Sequence, residues 1–326
     1  MHAHGGNPQA KPPVLVILGP TASGKSRLAM AVARRAGGEI ISVDALKVYR
    51  GLDAGTAKPT AAERAEIPHH GIDIVDASQE YSVARFLEFV EPVLADIVAR
   101  GRLPILDTTA PYYLRALIYG LDRGPAPQLD FRSAQDQRPL IDLYAELLSL
   151  DPPSAQRIGP GDRKRLTRAL EIVKYGQRKP SEVPKWGAIR DDYRWSLTGI
   201  SWPREVLYAR VEARAQQMFD SGWLQEVRAA LAAGGISRTA GLAHGYRRLQ
   251  EHLQGVLTYA EAVALTKRDV RTFARKSMTF FRSFPKVQWL EVTSEVEIDR
   301  AAMYLSHEMK EMLKEAGVER PLVDLP

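Results

Sequence analysis

The chain has 326 residues, enough to bury a sizeable core in one large domain or two. It contains no cysteine, which excludes a disulfide framework and thiolate metal sites, and its apolar runs are too short to cross a membrane. The net charge of +6 is unevenly placed: residues 160–186 carry eight basic and three acidic residues, and residues 267–286 carry seven and one. Such clusters favour a polyanionic partner.

The first buried segment leads into a glycine-rich loop. Five apolar residues precede the sequence G-P-T-A-S-G-K-S at 19–26, and apolar residues at helical spacing follow it. This order of strand, loop and helix is the context of a phosphate-binding P-loop. Backbone N–H groups at the helix start would bind the phosphate, Lys25 would reach its oxygens, and Ser26 would hold Mg²⁺. The predicted phosphate or pyrophosphate site consists of Gly19, Thr21, Ala22, Ser23, Gly24, Lys25 and Ser26.

The next elements continue an α/β pattern. Hydrophobic periodicity predicts helices over residues 25–36, 83–100 and 113–119 and strands over residues 39–43 and 103–106. The two strands end at Asp44 and Asp107. Ligands gather beyond the carboxyl ends of strands in open α/β sheets, so we expect Asp44 near the P-loop.

Basic residues crowd the start of a predicted helix that begins near Asp162. This helix follows a Gly/Pro-rich break and a predicted helix over residues 140–150. Basic side chains at a helix N-terminus oppose its macrodipole, which favours a ligand-binding role over a passive one. The residues concerned are Lys164, Arg165 and Arg168.

Arginines form a stripe on a long predicted helix over residues 259–284. At about 100° per residue, Arg268, Arg271, Arg275 and Arg282 fall on one side and Val270, Phe273, Ser277 and Phe281 on the other. The stripe contains no glutamate, and arginine suits bidentate phosphate contacts. This pattern predicts one packed face and one face that contacts nucleic acid.

These patterns predict the α/β fold class: a P-loop NTPase-like parallel sheet core with a helical inserted and C-terminal part. Residues 1–11 lack the apolar core of a signal peptide, so we expect a disordered N-terminus and a cytoplasmic protein. We also expect a monomer. The predicted segments are a disordered N-terminus (1–11), the α/β core (12–121), a short helical insertion (122–160), the remainder of the core with a helical nucleic-acid-binding part (161–315) and a tail (316–326).

Several motifs, in the same order along the chain, resemble those of tRNA dimethylallyltransferases. They are Gly19–Ser26, Ser42-x-Asp44-x4-Tyr49-Arg50-Gly51, Gly55–Pro59, Pro68–His70, the segment from Asp162 to Glu171, Gly245–Arg247 and the helix from Arg271 to Arg282. The resemblance covers about residues 12–292. It implies transfer of a dimethylallyl group from dimethylallyl diphosphate to N6 of adenosine 37 in the tRNA anticodon loop, with Mg²⁺ as cofactor and no membrane partner.

The resemblance also implies roles for particular residues. It assigns Asp44 as the base that takes the proton of the adenine amine, a suitable task for a carboxylate within hydrogen-bond reach. The basic residues above would hold the anticodon arm through its phosphates. Further implied tRNA contacts are Asp44, Ala45, Leu46, Lys47, Tyr246 and Arg247.

The chain departs from the usual motifs at several positions, and the departures keep two alternatives open. Asp107 stands where an apolar residue is usual, Ala110 replaces a threonine, and Lys47 and Ser277 each replace a glutamine. Asp107 at a strand end matches the Walker B carboxylate of a P-loop kinase or ATPase. Ala110 suits a tRNA-binding homologue with impaired catalysis.

Overall fold

A computed structural model describes residues 11–121, 124–183 and 186–318. The chain forms two compact units, Met1–Arg115 with Asp191–Pro326, and Ala116–Arg190. The second unit spans more residues than the predicted insertion 122–160. The helix that begins after Asp162 belongs to it, because its apolar residues pack in the core of that unit. Of the predicted N-terminal and C-terminal segments, only residue 11 and residues 316–318 are among those described.

The first unit is built on a six-stranded sheet, as the predicted P-loop NTPase-like core requires. The strands are β1 Pro13–Leu18, β2 Gly38–Val43, β3 His69–His70, β4 Leu103–Thr108, β5 Arg194–Ser201 and β6 Gln288–Glu291. Their order is β3-β2-β4-β1-β5-β6, with parallel pairing throughout. β1 is fully buried between β4 and β5, so the loop that follows it lies at a topological switch point, where α/β sheets bind ligands.

The helices largely follow the predicted bounds. They are α1 Lys25–Ala36, α2 Ala61–Glu66, α3 Val83–Ala99, α4 Pro111–Tyr119, α5 Leu129–Asp136, α6 Leu140–Leu150, α7 Pro152–Ile158, α8 Arg163–Gly176, α9 Arg204–Asp220, α10 Trp223–Ala232, α11 Arg238–Gly241, α12 His244–Leu253, α13 Tyr259–Phe281 and α14 Glu295–Glu315. No helix in the described part of the chain is both long and apolar enough to cross a bilayer.

The core of the first unit joins the start of α1 to α14. Leu28 and Val32 of α1 and Ile298 and Met309 of α14 are fully buried in one apolar cluster. Gly24 precedes α1 with a φ of +92°, and a Cβ there would lie 2.5 Å from Cδ1 of Ile298. The close approach of α14 therefore requires glycine at the end of the P-loop, in addition to the left-handed backbone that favours it.

The second unit has its own apolar core, formed by α6, α7 and α8. Leu143, Leu147 and Leu166 are completely buried in it. The sequence correctly ends a helix at residue 150, but the chain enters α7 at Pro152 without a long break. Asp151 explains this, because its buried carboxylate accepts hydrogen bonds from the backbone N–H groups of Ser154 at 3.3 Å and Ser181 at 2.9 Å.

Glu39 is a buried carboxylate in β2 surrounded by basic side chains. Its side chain is 2% exposed and accepts hydrogen bonds from Arg100 at 3.0 Å, His70 at 2.8 Å and Arg102 at 3.3 Å. Burial alone would raise the pKa of Glu39, but the hydrogen bonds from Arg100, His70 and Arg102 lower it to about 2. The stabilisation is therefore complete above the unfolded-state pKa near 4.5 and is lost as the pH falls towards 2.

Replacing Glu39 with Gln is expected to lower the free energy of unfolding at pH 7 by about 3 kcal/mol, since each pKa unit corresponds to about 1.4 kcal/mol. The difference from the unmodified protein should shrink below pH 4.5 and vanish near pH 2, and urea unfolding at three pH values measures it. Glu66→Gln, which removes an exposed partner of Arg34, serves as a control that changes stability little. An equal difference at pH 7 and pH 2.5 would contradict this account of Glu39.

Candidate functional site

The P-loop after β1 is tightly curled. Ala22 and Gly24 adopt positive φ angles of 62° and 92°. The buried Lys25 turns back over the loop and donates a hydrogen bond from Nζ to the carbonyl of Pro20 at 2.7 Å. Burial lowers the pKa of Lys25 to about 8, while the charge of Asp107 opposes the shift. A phosphate in the loop would give this ammonium an anionic partner in place of a carbonyl.

Two side chains missed by the sequence reasoning hold the loop in place. The buried indole of Trp202 donates from Nε1 to the carbonyl of Ser23 at 2.9 Å, and Arg210 donates from Nε to the carbonyl of Ala22 at 2.9 Å. The guanidinium of Arg210 also lies over the Trp202 ring, 4.2 Å from its centroid. These contacts fix two carbonyls on the outside of the loop, which supports a preformed phosphate site.

Asp44 follows β2 and is held by both of its carboxylate oxygens. Its Oδ1 accepts backbone N–H groups from Leu46 at 2.7 Å and Lys47 at 3.2 Å, and Oδ2 accepts the hydroxyl of Thr109. Thr109 is positioned by pairing of β2 with β4, since its N–H bonds to the carbonyl of Val43 at 3.1 Å. Asp44, Ala45 and Leu46 are partly exposed, so a substrate can reach the carboxylate.

Asp107, at the end of β4, meets both the P-loop and Lys47. Its Oδ2 accepts the hydroxyl of Ser26 at 2.8 Å and lies 3.6 Å from Nζ of Lys47. Burial alone would raise the pKa of Asp107, but the charges of Lys47 and Lys25 and the hydroxyl of Ser26 lower it below its ordinary value. Lys47 is therefore buried as a counter-ion, and the predicted tRNA contact by its side chain is not available in this arrangement.

The donor set at this point fits a magnesium ion. Oδ1 of Asp107 is buried and has no hydrogen-bond partner among the described residues. A hydroxyl and a carboxylate supply the hard oxygen ligands that Mg²⁺ prefers, and Mg²⁺ needs few protein ligands when phosphates and water complete its shell. The described part of the chain holds no group of three or more His, Asp or Glu that would make a self-sufficient metal cage.

Arg214 on α9 brings a further positive charge to the same place. Burial lowers the pKa of Arg214, while the charges of Asp107 and Asp44 oppose the shift. Its guanidinium therefore lies within electrostatic reach of both carboxylates. The sequence reasoning missed it, although Arg210 and Arg214 are spaced four residues apart, which places them on one face of a helix.

Tyr246 does not have the predicted role, because its side chain is completely buried. Its hydroxyl donates to Oε1 of Glu226 at 2.7 Å, and Glu226 in turn accepts backbone N–H groups of the loop at Ala54 (2.6 Å) and Gly55 (3.2 Å). Tyr246 thus supports a loop from inside the protein and is not accessible to RNA. The neighbouring Arg247 is exposed and forms an i,i+4 ion pair with Glu251 at 2.9 Å.

Three arginines of the predicted stripe lie on α13 and Arg282 caps its C-terminus, but the four side chains differ in their partners. Arg271 pairs with Glu212 at 2.6 Å, and Arg268 lies 3.5 Å from Asp269, so the expectation of a stripe without acidic neighbours is wrong for these two. Arg275 and Arg282 are exposed and have no acidic partner among the described residues.

The opposite face of α13 was predicted to be packed. This prediction is confirmed for Ser277 and Phe281, whereas Phe273 is 36% exposed. A hollow of about 170 Å³ is lined by Tyr208, Arg268, Arg271, Thr272 and Arg275.

The predicted cluster on α8 lies in the second unit and is also divided. Lys164 and Arg165 are exposed, although Arg165 pairs with Asp162 at 3.0 Å. Arg168 is bound to the buried Glu171 and donates to the carbonyl of Pro125 at 3.1 Å. Burial alone would raise the pKa of Glu171, but hydrogen bonds from Arg132, Gln128 and Arg168 lower it to about 2. Arg168 is therefore a structural partner of Glu171, and a phosphate would have to compete with that carboxylate.

Comparison with known proteins identifies the family of this chain. A family model described as IPP transferase matches residues 47–284, and one described as isopentenyl transferase matches residues 12–68. A tRNA dimethylallyltransferase from Anaeromyxobacter sp. (strain Fw109-5) is 44% identical over 284 residues, covering 85% of this chain and 94% of the relative. A tRNA dimethylallyltransferase from Leuconostoc citreum is 39% identical over 308 residues, covering 92% and 99%.

A solved structure gives the same result for the fold. The crystal structure of the full-length tRNA isopentenylpyrophosphate transferase from Bacillus halodurans has a TM-score of 0.69 and 33% identity, covering 94% of this chain and 100% of that one. One family model covers more than half of this chain, and both relatives are matched over nearly their whole length. The chain therefore belongs to the IPP transferase family.

Proposed function

We propose that this chain transfers a dimethylallyl group from dimethylallyl diphosphate to N6 of adenosine 37 in the tRNA anticodon loop. The observation that carries the proposal is the pairing of a diphosphate-type loop with Asp44. β1 and β2 both pair with β4, whose end contacts each of them: Asp107 accepts the hydroxyl of Ser26 in the P-loop, and Thr109 donates to Asp44. This arrangement supports a single site for the loop and Asp44 at the carboxyl edge of the sheet. A base and a leaving-group site at this edge are what the reaction needs.

The positive side chains bind and stabilise the leaving group. As the bond between the allyl carbon and the diphosphate oxygen breaks, negative charge grows on the diphosphate. Lys25 is held in place before the reaction by burial and by its hydrogen bond to the carbonyl of Pro20, and the charges of Asp107 and Asp44 act on Arg214. Preorganised donors of this kind stabilise developing charge most effectively. Mg²⁺, when bound by Ser26 and Asp107, would neutralise part of the diphosphate charge.

Asp44 completes the proton balance. The adenine amine is a weak nucleophile, because its lone pair is delocalised into the ring. The N6–carbon bond forms as the carbon–oxygen bond breaks, and the excess proton on N6 passes to the carboxylate of Asp44. Hydrogen bonds from Leu46, Lys47 and Thr109 fix the direction of this carboxylate, so little reorganisation is needed.

The tRNA must deliver its base to this site. A stacked adenine is inaccessible, so the base has to leave the stack, and the rest of the anticodon arm has to be held through phosphates. Three exposed basic side chains have no acidic partner among the described residues and offer their charges for that purpose: Arg275 on α13, Arg282 at the C-cap of α13 and Lys164 on α8. A cytoplasmic location and a monomeric state stay predictions of the sequence.

Nucleoside analysis tests the proposed transfer directly. The protein is incubated with tRNA and either dimethylallyl diphosphate or ATP, and the digested tRNA is analysed for N6-prenyladenosine. Product formed only with dimethylallyl diphosphate is the expected result. ATP hydrolysis that needs no tRNA would favour the kinase or ATPase alternative, for which the contact between Ser26 and Asp107 is the specific observation. Binding of tRNA without product would favour a catalytically impaired homologue.

Replacing Arg275 with Gln is expected to weaken binding to most tRNAs alike and to lower the slope of log affinity against log salt by a little under one. Arg275 is exposed without an acidic partner in the described chain, so its removal breaks no ion pair. Filter binding across a salt series measures the slope. Lys310→Gln removes one exposed charge from α14 as the matched control. An unchanged slope in the Arg275 variant would show that this arginine is only solvated.

A further inference from the structure

Asp107 has a buried carboxylate that takes no part in the proposed proton transfer and is not fully hydrogen-bonded. Its side chain is 6% exposed, and its Oδ2 accepts a hydrogen bond from the hydroxyl of Ser26 at 2.8 Å. Oδ1 is buried without a partner among the described residues. Buried carboxylate oxygens are normally satisfied, so an oxygen left open beside a phosphate loop indicates a missing ligand.

Lys47 supplies the charge that makes this arrangement possible in the absence of a ligand. Its side chain is 8% exposed, and Nζ lies 3.6 Å from Oδ2 of Asp107. Burying either charge alone would be strongly unfavourable. Both residues also depart from the motifs that the chain resembles, where the two positions are a glutamine and an apolar residue. The two departures introduce opposite charges, so they leave the net charge of the site unchanged.

The formal charges around the site are consistent with a metal–diphosphate complex. Lys25, Lys47 and Arg214 carry three positive charges, and Asp44 and Asp107 carry two negative ones. An organic diphosphate with three negative charges and one divalent cation together carry one negative charge, which would neutralise the remaining positive charge. Ser26 is exposed to solvent, which leaves room for the water ligands that Mg²⁺ retains.

We propose that Ser26 Oγ and Asp107 Oδ1 form a divalent-cation site that is particular to this chain, with Lys47 as the internal counter-ion of Asp107 when no cation is present. The inference rests on the proposed function, in which a diphosphate occupies the P-loop and completes the cation's ligands. On cation binding, Ser26 turns its proton away from Oδ2 and offers a lone pair. The positive charge of Lys47 opposes the cation, so this lysine sets how tightly it binds.

Binding of Mn²⁺ to the full-length protein, followed by the electron paramagnetic resonance signal of free Mn²⁺, tests the site without any prenyl transfer. Titrations are run with and without inorganic pyrophosphate. Asp107→Asn should weaken Mn²⁺ binding at least about tenfold, in line with losses at known metal sites. Lys47→Gln should strengthen it roughly tenfold, because it removes a positive charge a few ångströms away. Asp142→Asn, which removes an exposed carboxylate of α6, should change nothing.

A double variant separates the loss of the cation ligand from misfolding caused by a buried, unpaired charge. Asp107→Asn leaves Lys47 buried without its counter-ion, whereas Lys47→Gln combined with Asp107→Leu leaves two neutral side chains. The double variant should fold and bind Mn²⁺ at least about tenfold more weakly than Lys47→Gln alone. Unchanged Mn²⁺ affinity in both Asp107 variants would overturn the proposal and reduce Asp107 to a partner of Lys47.

The experiments distinguish a failure of the cation-site proposal from a failure of the prenyl-transfer proposal. If Lys47→Gln does not strengthen Mn²⁺ binding, the counter-ion role is wrong, whatever the enzyme's activity. If Mn²⁺ binding follows the expected order but no N6-prenyladenosine forms, the cation site stands and the proposed function does not.

Discussion

Replacing Asp44 with Asn is expected to lower the rate of tRNA prenylation by about 10²–10⁴-fold, the range for loss of a general base. Asn keeps the size of the side chain, and its Oδ1 can still accept the N–H groups of Leu46 and Lys47. The hydroxyl of Thr109 can rotate to accept a hydrogen bond from the new amide. The variant therefore loses the ability to take a proton while its local structure is kept. Single-turnover formation of N6-prenyladenosine measures the effect.

The control for this variant is binding. Affinities for tRNA and for dimethylallyl diphosphate should change little, because the lost group acts as the reaction proceeds and not when the substrates bind. A normal rate in the variant would mean that the carboxylate only caps the turn at residues 44–47, which the contacts to Leu46 and Lys47 already show it to do. In that case another group must accept the proton.

Replacing Lys25 with Ala is expected to weaken binding of diphosphate ligands by about 10- to 150-fold, which corresponds to loss of one charge-assisted hydrogen bond of about 1.5–3 kcal/mol. Within the described residues, the ammonium of Lys25 donates its one hydrogen bond to the neutral carbonyl of Pro20 at 2.7 Å and forms no ion pair, so its charge is available to a phosphate. Calorimetric titration with inorganic pyrophosphate measures the loss. The protein should keep its fold, because α1 is packed through Leu28 and Val32.

Lys310→Ala is the charge-matched control, since it removes an exposed ammonium from α14. It should leave pyrophosphate affinity unchanged. Equal affinity of the Lys25 variant for every diphosphate tested would remove the basis for placing the donor in the P-loop. The proton-transfer proposal for Asp44 would then need a different position for the leaving group.

Prediction from the sequence succeeded where a local pattern has one stable outcome. The strand, loop and helix of the P-loop follow from a short apolar run, two glycines and helical spacing, and they occur as β1 and α1. The strand predicted over residues 103–106 occurs as β4, Leu103–Thr108. β6 was missed, because four residues of strand give too short a pattern to recognise.

Prediction was weaker where a side chain's role depends on its neighbours in space. The spacing of Arg271 and Arg275 on α13 is correct, but Glu212 on α9 neutralises the first and leaves the second free. Helical periodicity within α13 cannot reveal a carboxylate that comes from another helix. Tyr246 was wrongly placed among the RNA contacts for the same reason, because Glu226 on α10 draws its hydroxyl inward.

The sequence by itself determined the α/β class, the P-loop, Asp44 at the end of β2 and the resemblance to tRNA dimethylallyltransferases, because these depend on local order along the chain. Only the tertiary structure decided which charges share the site. The parallel pairing of β2, β4 and β1 brings Lys47, Asp107 and Ser26 to one edge of the sheet, although Ser26 and Asp107 are 81 residues apart in sequence. Pairing between distant strands sets these distances, and no periodicity within a single segment records it.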